Sequence, residues 1–249
     1  MSPRLIPIVA RTPLHLTFEL LGYVVACLIY LHQRRRSGDI VPAQSRSTIL
    51  AAAAVGAAIG GRLLALLENP AEFNWKHLVL LDAGKTIIGA ILGGWFAVEI
   101  AKHYSGIHKR TGDLLVRPIL FGTLVGRIGC FLSGIADKTF GNPSNLPWAV
   151  DFGDGVLRHP LQIYEIAFLI AYFVLVENGK LQFANGERFR LYVFNYFGLR
   201  LGLEALKTLP RFCGLDTLQW AALMGMLWCA PTVIAIVCRR LLTTEEKFA

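Results

Sequence analysis

Apolar residues in this chain come in seven blocks, at 14–32, 47–67, 78–101, 117–136, 160–177, 190–206 and 217–238. About 20 consecutive apolar residues in a helix match the ~30 Å hydrocarbon core of a bilayer. Only helices and closed barrels satisfy their own backbone groups there. The blocks therefore predict an all-α, polytopic membrane bundle of about seven transmembrane helices, forming one integral membrane domain over 1–249. Composition agrees: 54% of residues are hydrophobic and 17% charged, which excludes a disordered chain and argues against a soluble enzyme. The net charge of +8 is read as loop anchoring, not as a nucleic-acid surface.

The first block runs into Arg34-Arg35-Arg36, lacks a small-residue cleavage site and is too long for a signal peptide. The first, third and fifth loops and the C-terminal tail, together with Arg117 and Arg190 at the adjoining segment edges, hold 14 Lys and Arg, against 7 in the N-terminal stretch and the other loops. The positive-inside rule then puts the N-terminus outside and the C-terminus in the cytoplasm. The fourth loop, 137–159, is the long outside connection. Its turn formers (Gly141-Asn142-Pro143, Gly153-Asp154-Gly155) and apolar residues Phe140, Trp148 and Phe152 suggest a flap over the outer mouth of the bundle. Gly-xxx-Gly spacings at 56/60, 89/93, 122/126 and 198/202 put glycines on one helix face and allow close helix approach. They suit internal packing or a dimer equally; a monomer is the working expectation. The five cysteines form no CxxC pair, so neither a disulfide framework nor a zinc site is read from them. Asp137, Asp151 and Asp154 are not spaced as a calcium loop.

Charges inside apolar segments cost about 2.5–3.5 kcal/mol each on insertion scales. Arg62, Lys85, Arg127 and Arg200 sit inside the second, third, fourth and sixth segments, and Glu19, Glu165 and Glu204 inside the first, fifth and sixth. Internal pairing is one explanation: Arg200 and Glu204 are at i, i+4, and Glu19 is a possible neutraliser of Lys85. The other is a cationic cavity open to the outer leaflet. Its surplus arginine would take a phospholipid phosphate, which the planar guanidinium matches in bidentate fashion.

Four segments, in order, carry a family resemblance. Gly126-Arg127-Ile128-Gly129-Cys130-Phe131, Leu146-Pro147-Trp148, Arg158-His159-Pro160-Leu161-Gln162-Ile163-Tyr164-Glu165 and Arg200-Leu201-Gly202-Leu203-Glu204 resemble segments of the prolipoprotein diacylglyceryl transferases. Gly61-Arg62 is similar to that family's second-helix arginine. The resemblance covers roughly residues 15–240. It implies a seven-helix enzyme of the bacterial inner membrane with its N-terminus outside. The implied reaction moves diacylglycerol from phosphatidylglycerol to the cysteine thiol of a lipoprotein precursor, releasing glycerol phosphate, with no metal or organic cofactor. By match, Arg127 and Arg200 hold phosphate, Glu204 orients Arg200 and Arg62 supports the cavity; Glu165, able to hydrogen-bond a lipid glycerol or an arginine, and Cys130, beside Arg127, are placed at the substrate with them.

Several positions differ from the family pattern. Cys130 and Ser133 stand where it has asparagines, Asp137 is the acid nearest an expected glutamate, and the third-helix histidine is absent around Gly84-Lys85-Thr86. The first-helix tyrosine is missing, with Glu19 and Tyr23 nearby. Lys85, Glu19 and Asp137 are therefore the candidates for the base. His159 is a further proton acceptor, better matched to a structural role. Tyr164 follows it at the head of the fifth helix. Two other readings stay open: a divergent paralogue with a different outside acceptor, and a non-catalytic protein that binds anionic lipid. A channel or transporter fits less well, because there is no internal repeat. The charge count makes one direct prediction. A C-terminal green fluorescent protein fusion should fluoresce and a C-terminal alkaline phosphatase fusion should be inactive in intact cells; the reverse pattern would invert the orientation.

Overall fold

The computed structural model describes residues 12–38, 41–68, 84–179 and 181–245. Among them are seven α-helices: α1 (Thr12–Ser37), α2 (Ala43–Glu68), α3 (Ile87–Tyr104), α4 (Val116–Ser133), α5 (Leu161–Tyr172), α6 (Glu187–Ala205) and α7 (Thr217–Glu245). The all-α class is as expected, apart from a two-stranded hairpin, β1 (Val150–Asp151) and β2 (Leu157–Arg158). Four stretches of the described residues are long and apolar enough to cross a membrane: Leu14–Arg36, Ala43–Glu68, Gly112–Asp137 and Thr217–Leu242. The expected span at 160–177 corresponds to α5, 12 residues long, with the turn that follows it, and that at 190–206 to α6, 19 residues long, which carries Glu187, Arg188, Arg190, Arg200 and Glu204. The first part of the third apolar segment, 78–83, lies outside the described residues.

The chain packs as two compact units. The first comprises the described residues of Met1–Gly38, Gly112–Ala184 and Ala205–Thr208. In it α1 lies on α4 through small residues: a Cβ added at Gly22 would stand 2.8 Å from the Gly122 carbonyl oxygen, and one at Gly129 would collide with Phe18. Helix α5 ends in a π-helical turn, Phe173–Glu177. Arg117 grips that turn, its Nη2 donating to the Glu177 carbonyl at 2.6 Å and its Nε to the Glu177 carboxylate at 3.0 Å. Glu177 is the last residue of that turn, where a helix carbonyl has no partner within the helix and takes an outside donor.

The connection between α4 and α5 is pinned to this unit. Phe152 is buried, stacked on Phe140 and edge-on to Phe131 of α4. Asp151 Oδ1 accepts from the amides of Gly153 and Gly155, which closes the hairpin turn. Arg158 lies over the Phe140 ring and makes two hydrogen bonds, of 2.6 and 2.7 Å, to Asp154. Those bonds hold the exposed Asp154 carboxyl below the usual carboxylate range. Trp148 Nε1 donates to Tyr164 Oη at 2.7 Å, and His159 Nδ1 sits 3.1 Å from the same hydroxyl. His159 thus sits against Tyr164 at the start of α5.

The second unit comprises the described residues of Asp39–Thr111, Asn185–Glu204 and Leu209–Ala249. Helices α2 and α3 meet glycine to glycine. A Cβ at Gly60 would stand 2.4 Å from Gly89 O, and one at Gly93 would stand 2.4 Å from Gly56 O. Two of the Gly-xxx-Gly pairs are therefore used inside the protein, where only hydrogen side chains let the backbones touch. Helix α6 buries Tyr192, Tyr196 and Phe197. Phe189 packs edge-on against Trp95 of α3, and Phe197 fills the space left by Gly225 of α7. Arg190 reaches Thr232 of α7 at 2.8 Å, and Glu187 pairs with Arg239 at 2.7 Å. Gly93→Ala should lower stability by about 1–3 kcal/mol, the usual cost of overpacking. Gly202→Ala, where a Cβ meets nothing within 4 Å, should stay within about 0.5 kcal/mol. Thermal unfolding in detergent would read both.

Candidate functional site

In the first unit the chemistry gathers where α1, α4 and α5 present their polar residues. Arg127 and Cys130 are three residues apart on α4 and so share a face. Arg127 Nη1 points at Cys130 Sγ across 3.9 Å. Arg127 Nε donates to Glu165 Oε2 of α5 at 2.9 Å, with 13% of the arginine side chain and 2% of the glutamate side chain exposed. A buried carboxylate and guanidinium each carry a large desolvation cost, which their mutual contact helps to offset. Gln162, one turn before Glu165, is also buried, and its Nε2 donates to Thr139 Oγ1 at 3.0 Å. Thr139 in turn donates to Asp137 Oδ2.

Asp137 ends the 3-10 turn Gly134–Asp137 that follows α4. Its Oδ1 accepts from His15 Nδ1 of α1 at 2.9 Å, with 5% of the aspartate side chain exposed. The other ring nitrogen of His15 lies 4.0 Å from Glu19 Oε2, one helical turn along α1. Tyr23, a further turn along, donates to Glu19 Oε1 at 2.7 Å. His15, Cys130 and Asp137 bring one ligand atom each within 4.8 Å of one another. All five cysteines are free thiols, and Cys130 is buried. Ser133, at the second asparagine position of the family pattern, bonds back to the Gly129 carbonyl at 2.8 Å.

In the second unit Arg200 and Glu204 pair across one turn of α6, both buried. The adjoining end of α7 is capped by Asp216, whose carboxylate accepts from Gln219 N at 2.7 Å while Gln219 Oε1 accepts from Asp216 N at 3.0 Å. Gln219 Nε2 also donates to the Leu201 carbonyl at 3.0 Å, tying that cap to the helix of the pair. Arg62 is half-buried on α2. Lys85 departs from expectation: it is exposed and lies outside any helix, just before the α3 cap, not two turns inside a helix. The reason is local. Thr86 is the α3 N-cap, accepting from Gly89 N at 3.2 Å, and its own amide donates to Gly61 O at 3.0 Å. Lys85 and Arg62 therefore flank one backbone contact between α2 and the α3 cap.

Of the residues singled out in the sequence, the first unit brings together Arg127, Glu165, Cys130, Asp137 and Glu19. Arg200 and Glu204 pair in the second unit, where Arg62 and Lys85 also lie. Sequence reasoning missed His15. Its signal was the i, i+4 spacing to Glu19 within the first apolar block.

A family model described as prolipoprotein diacylglyceryl transferase matches residues 16–240. The chain belongs to that family. Among its relatives, the phosphatidylglycerol–prolipoprotein diacylglyceryl transferase of Methylococcus capsulatus is 31% identical over 213 residues, covering 81% of this chain and 79% of the relative. The protein of the same name from Bordetella bronchiseptica is 27% identical over 249 residues, covering 94% and 93%. That of Clostridium tetani is 33% identical over 168 residues, covering 63% and 66%. With four helices among the described residues long and apolar enough to cross a membrane, this family member is a membrane protein.

The Arg127–Glu165 contact makes a thermodynamic prediction. Glu165→Gln leaves a buried guanidinium without its carboxylate and should cost about 3 kcal/mol or more. Arg127→Gln combined with Glu165→Gln should recover part of that loss. Additive single and double effects in detergent melts would show that the two charges do not depend on each other.

Proposed function

We propose that this protein transfers the diacylglyceryl group of phosphatidylglycerol to the cysteine thiol of a prolipoprotein, releasing glycerol phosphate. The observation that carries the reading is the buried Arg127–Glu165 pair, in a chain of this family. Glu165 engages the guanidinium through Nε, which fixes the plane of the fork. A fork held in this way is suited to phosphate oxygens. As the diacylglyceryl carbon–oxygen bond breaks, negative charge grows on the leaving phosphate, and a preorganised guanidinium stabilises that charge most in the transition state. In the second unit Arg200, held by Glu204, and Arg62 are proposed for the same kind of phosphate contact. Lys85, being exposed, is proposed as a positive charge for anionic lipid and not as a base.

The acceptor thiol has an ordinary pKa of about 8.5 and reacts as the thiolate. This reading assigns its activation to the cluster of His15, Cys130 and Asp137, with Glu19 behind His15. The protein is proposed as a multi-pass protein of the bacterial inner membrane, N-terminus outside, acting as a monomer. The 137–159 connection then lies on the outer side, where a prolipoprotein arrives.

The test uses purified protein in phosphatidylglycerol micelles with a peptide bearing the acceptor cysteine. Glycerol phosphate release should accompany a diacylglyceryl mass gain on the peptide. Arg127→Ala should slow both by about 100-fold or more, as loss of a charge-stabilising donor does. Phosphatidylglycerol that stays bound to unmutated protein, with neither product formed, would favour a lipid-binding role and overturn the transferase reading.

A further inference from the structure

We infer that His15, Cys130 and Asp137 form a zinc site whose open fourth position takes the acceptor thiol. Cys130 and Asp137 lie at the end of α4 and in the turn after it, and His15 comes from α1. One nitrogen, one sulfur and one carboxylate oxygen thus converge from separate segments, all within 4.8 Å of one another. Tetrahedral zinc with bonds of about 2.0–2.3 Å to such ligands needs them roughly 3.3–3.7 Å apart, and His15 Nδ1 and Asp137 Oδ1 stand 2.9 Å apart without it. Three protein ligands with a fourth position left open is the pattern of reactive zinc, while four closed ligands mark structural zinc.

The surroundings fit a metal in two further respects. Metal-bound histidine commonly directs its second nitrogen to a carboxylate, and ligating carboxylates are themselves hydrogen-bonded. With Nδ1 toward Asp137 and the metal, His15 Nε2 faces Glu19 Oε2 at 4.0 Å. The Asp137 carboxylate takes the Thr139 hydroxyl, which Gln162 holds at 3.0 Å from a buried position. Electrostatics agree. The thiolate and Asp137 balance a dication, Glu19 adds negative charge behind the histidine, and the charge of Arg127 is met by Glu165 at 2.9 Å.

The chemistry follows for the proposed reaction, on which this inference rests. A thiol that binds zinc is deprotonated outright, so the acceptor sulfur enters as thiolate and its proton passes to water. The sulfur attacks the glycerol carbon that carries the phosphate ester. A carbon–sulfur bond forms, the carbon–oxygen bond breaks, and its electron pair leaves on glycerol phosphate. The product thioether is uncharged, holds zinc weakly and departs.

Cobalt(II) is the probe, added to full-length protein stripped of metal in detergent. One equivalent should bind, with visible bands of tetrahedral cobalt and a sulfur-to-metal charge-transfer band. Cys130→Ser should remove the charge-transfer band, while Cys238→Ser should not. His15→Ala, at a side chain 45% exposed and so tolerated by the fold, should weaken binding by at least 100-fold. Thr139→Val should weaken it by about 10–100-fold. The acceptor peptide should raise the charge-transfer absorbance as a second thiolate binds, and a Cys→Ser peptide should not. Absence of stoichiometric binding, or a charge-transfer band that survives Cys130→Ser, overturns the site. Equal transfer rates in metal-free and zinc-loaded protein overturn its part in thiol activation while leaving the transferase reading intact. Cobalt spectra as described, in a protein that never modifies the peptide, would uphold the site and sink the transferase reading.

Discussion

A guanidinium on an apolar helix has no water to lean on, and Arg127 keeps its charge at every pH a cell meets. Much of the first unit can be understood from that constraint. Glu165 on α5 meets it at 2.9 Å, so α4 and α5 have to face each other at that level. The same face of α5 carries Gln162, which reaches Thr139 and through it Asp137. The turn after α4 is thereby held at the place where α1 presents His15. One costly charge thus sits at the start of a polar chain that joins three helices and a turn.

Helix contact through glycine is the complementary device. Without a hydrophobic driving force between helices in lipid, close backbone approach and van der Waals contact hold them together. Gly60 against Gly89 and Gly56 against Gly93 join α2 to α3, and Gly22 against Gly122 joins α1 to α4. Not all of the spaced glycines serve this end: a Cβ at Gly126 or Gly202 would meet nothing within 4 Å. Those two positions lie beside Arg127 and between Arg200 and Glu204, so the chain is left slim where its charges lie.

The polar residues differ in how visible they were. A charge that interrupts an apolar run stands out because of its cost, so Arg127, Arg200, Glu204 and Glu165 could be picked out at once. The i, i+4 spacing of Arg200 and Glu204 even named the partner. Lys85 was misplaced because hydropathy alone cannot see a helix start; the Thr86 cap and its bond to Gly61 put that start after the lysine. The expected spans over 160–177 and 190–206 coincide with α5 and its π-helical turn and with α6, yet neither is among the four described helices long and apolar enough to cross a membrane: α5 is 12 residues long, and α6 carries five charges.

The all-α class, the four membrane-length apolar helices and the family follow from the order of residues alone. Each depends on local composition, helical period or contiguous motif, and those survive without knowledge of the fold. Which glycine faces touch, which carboxylate meets Arg127, and the joining of His15 to Cys130 and Asp137 were decided only by tertiary structure. Their separations along the chain are long, and nothing in the local pattern of α1 says which turn of which later helix it will meet. Packing of α1 on α4 supplies that register, and with it the cluster.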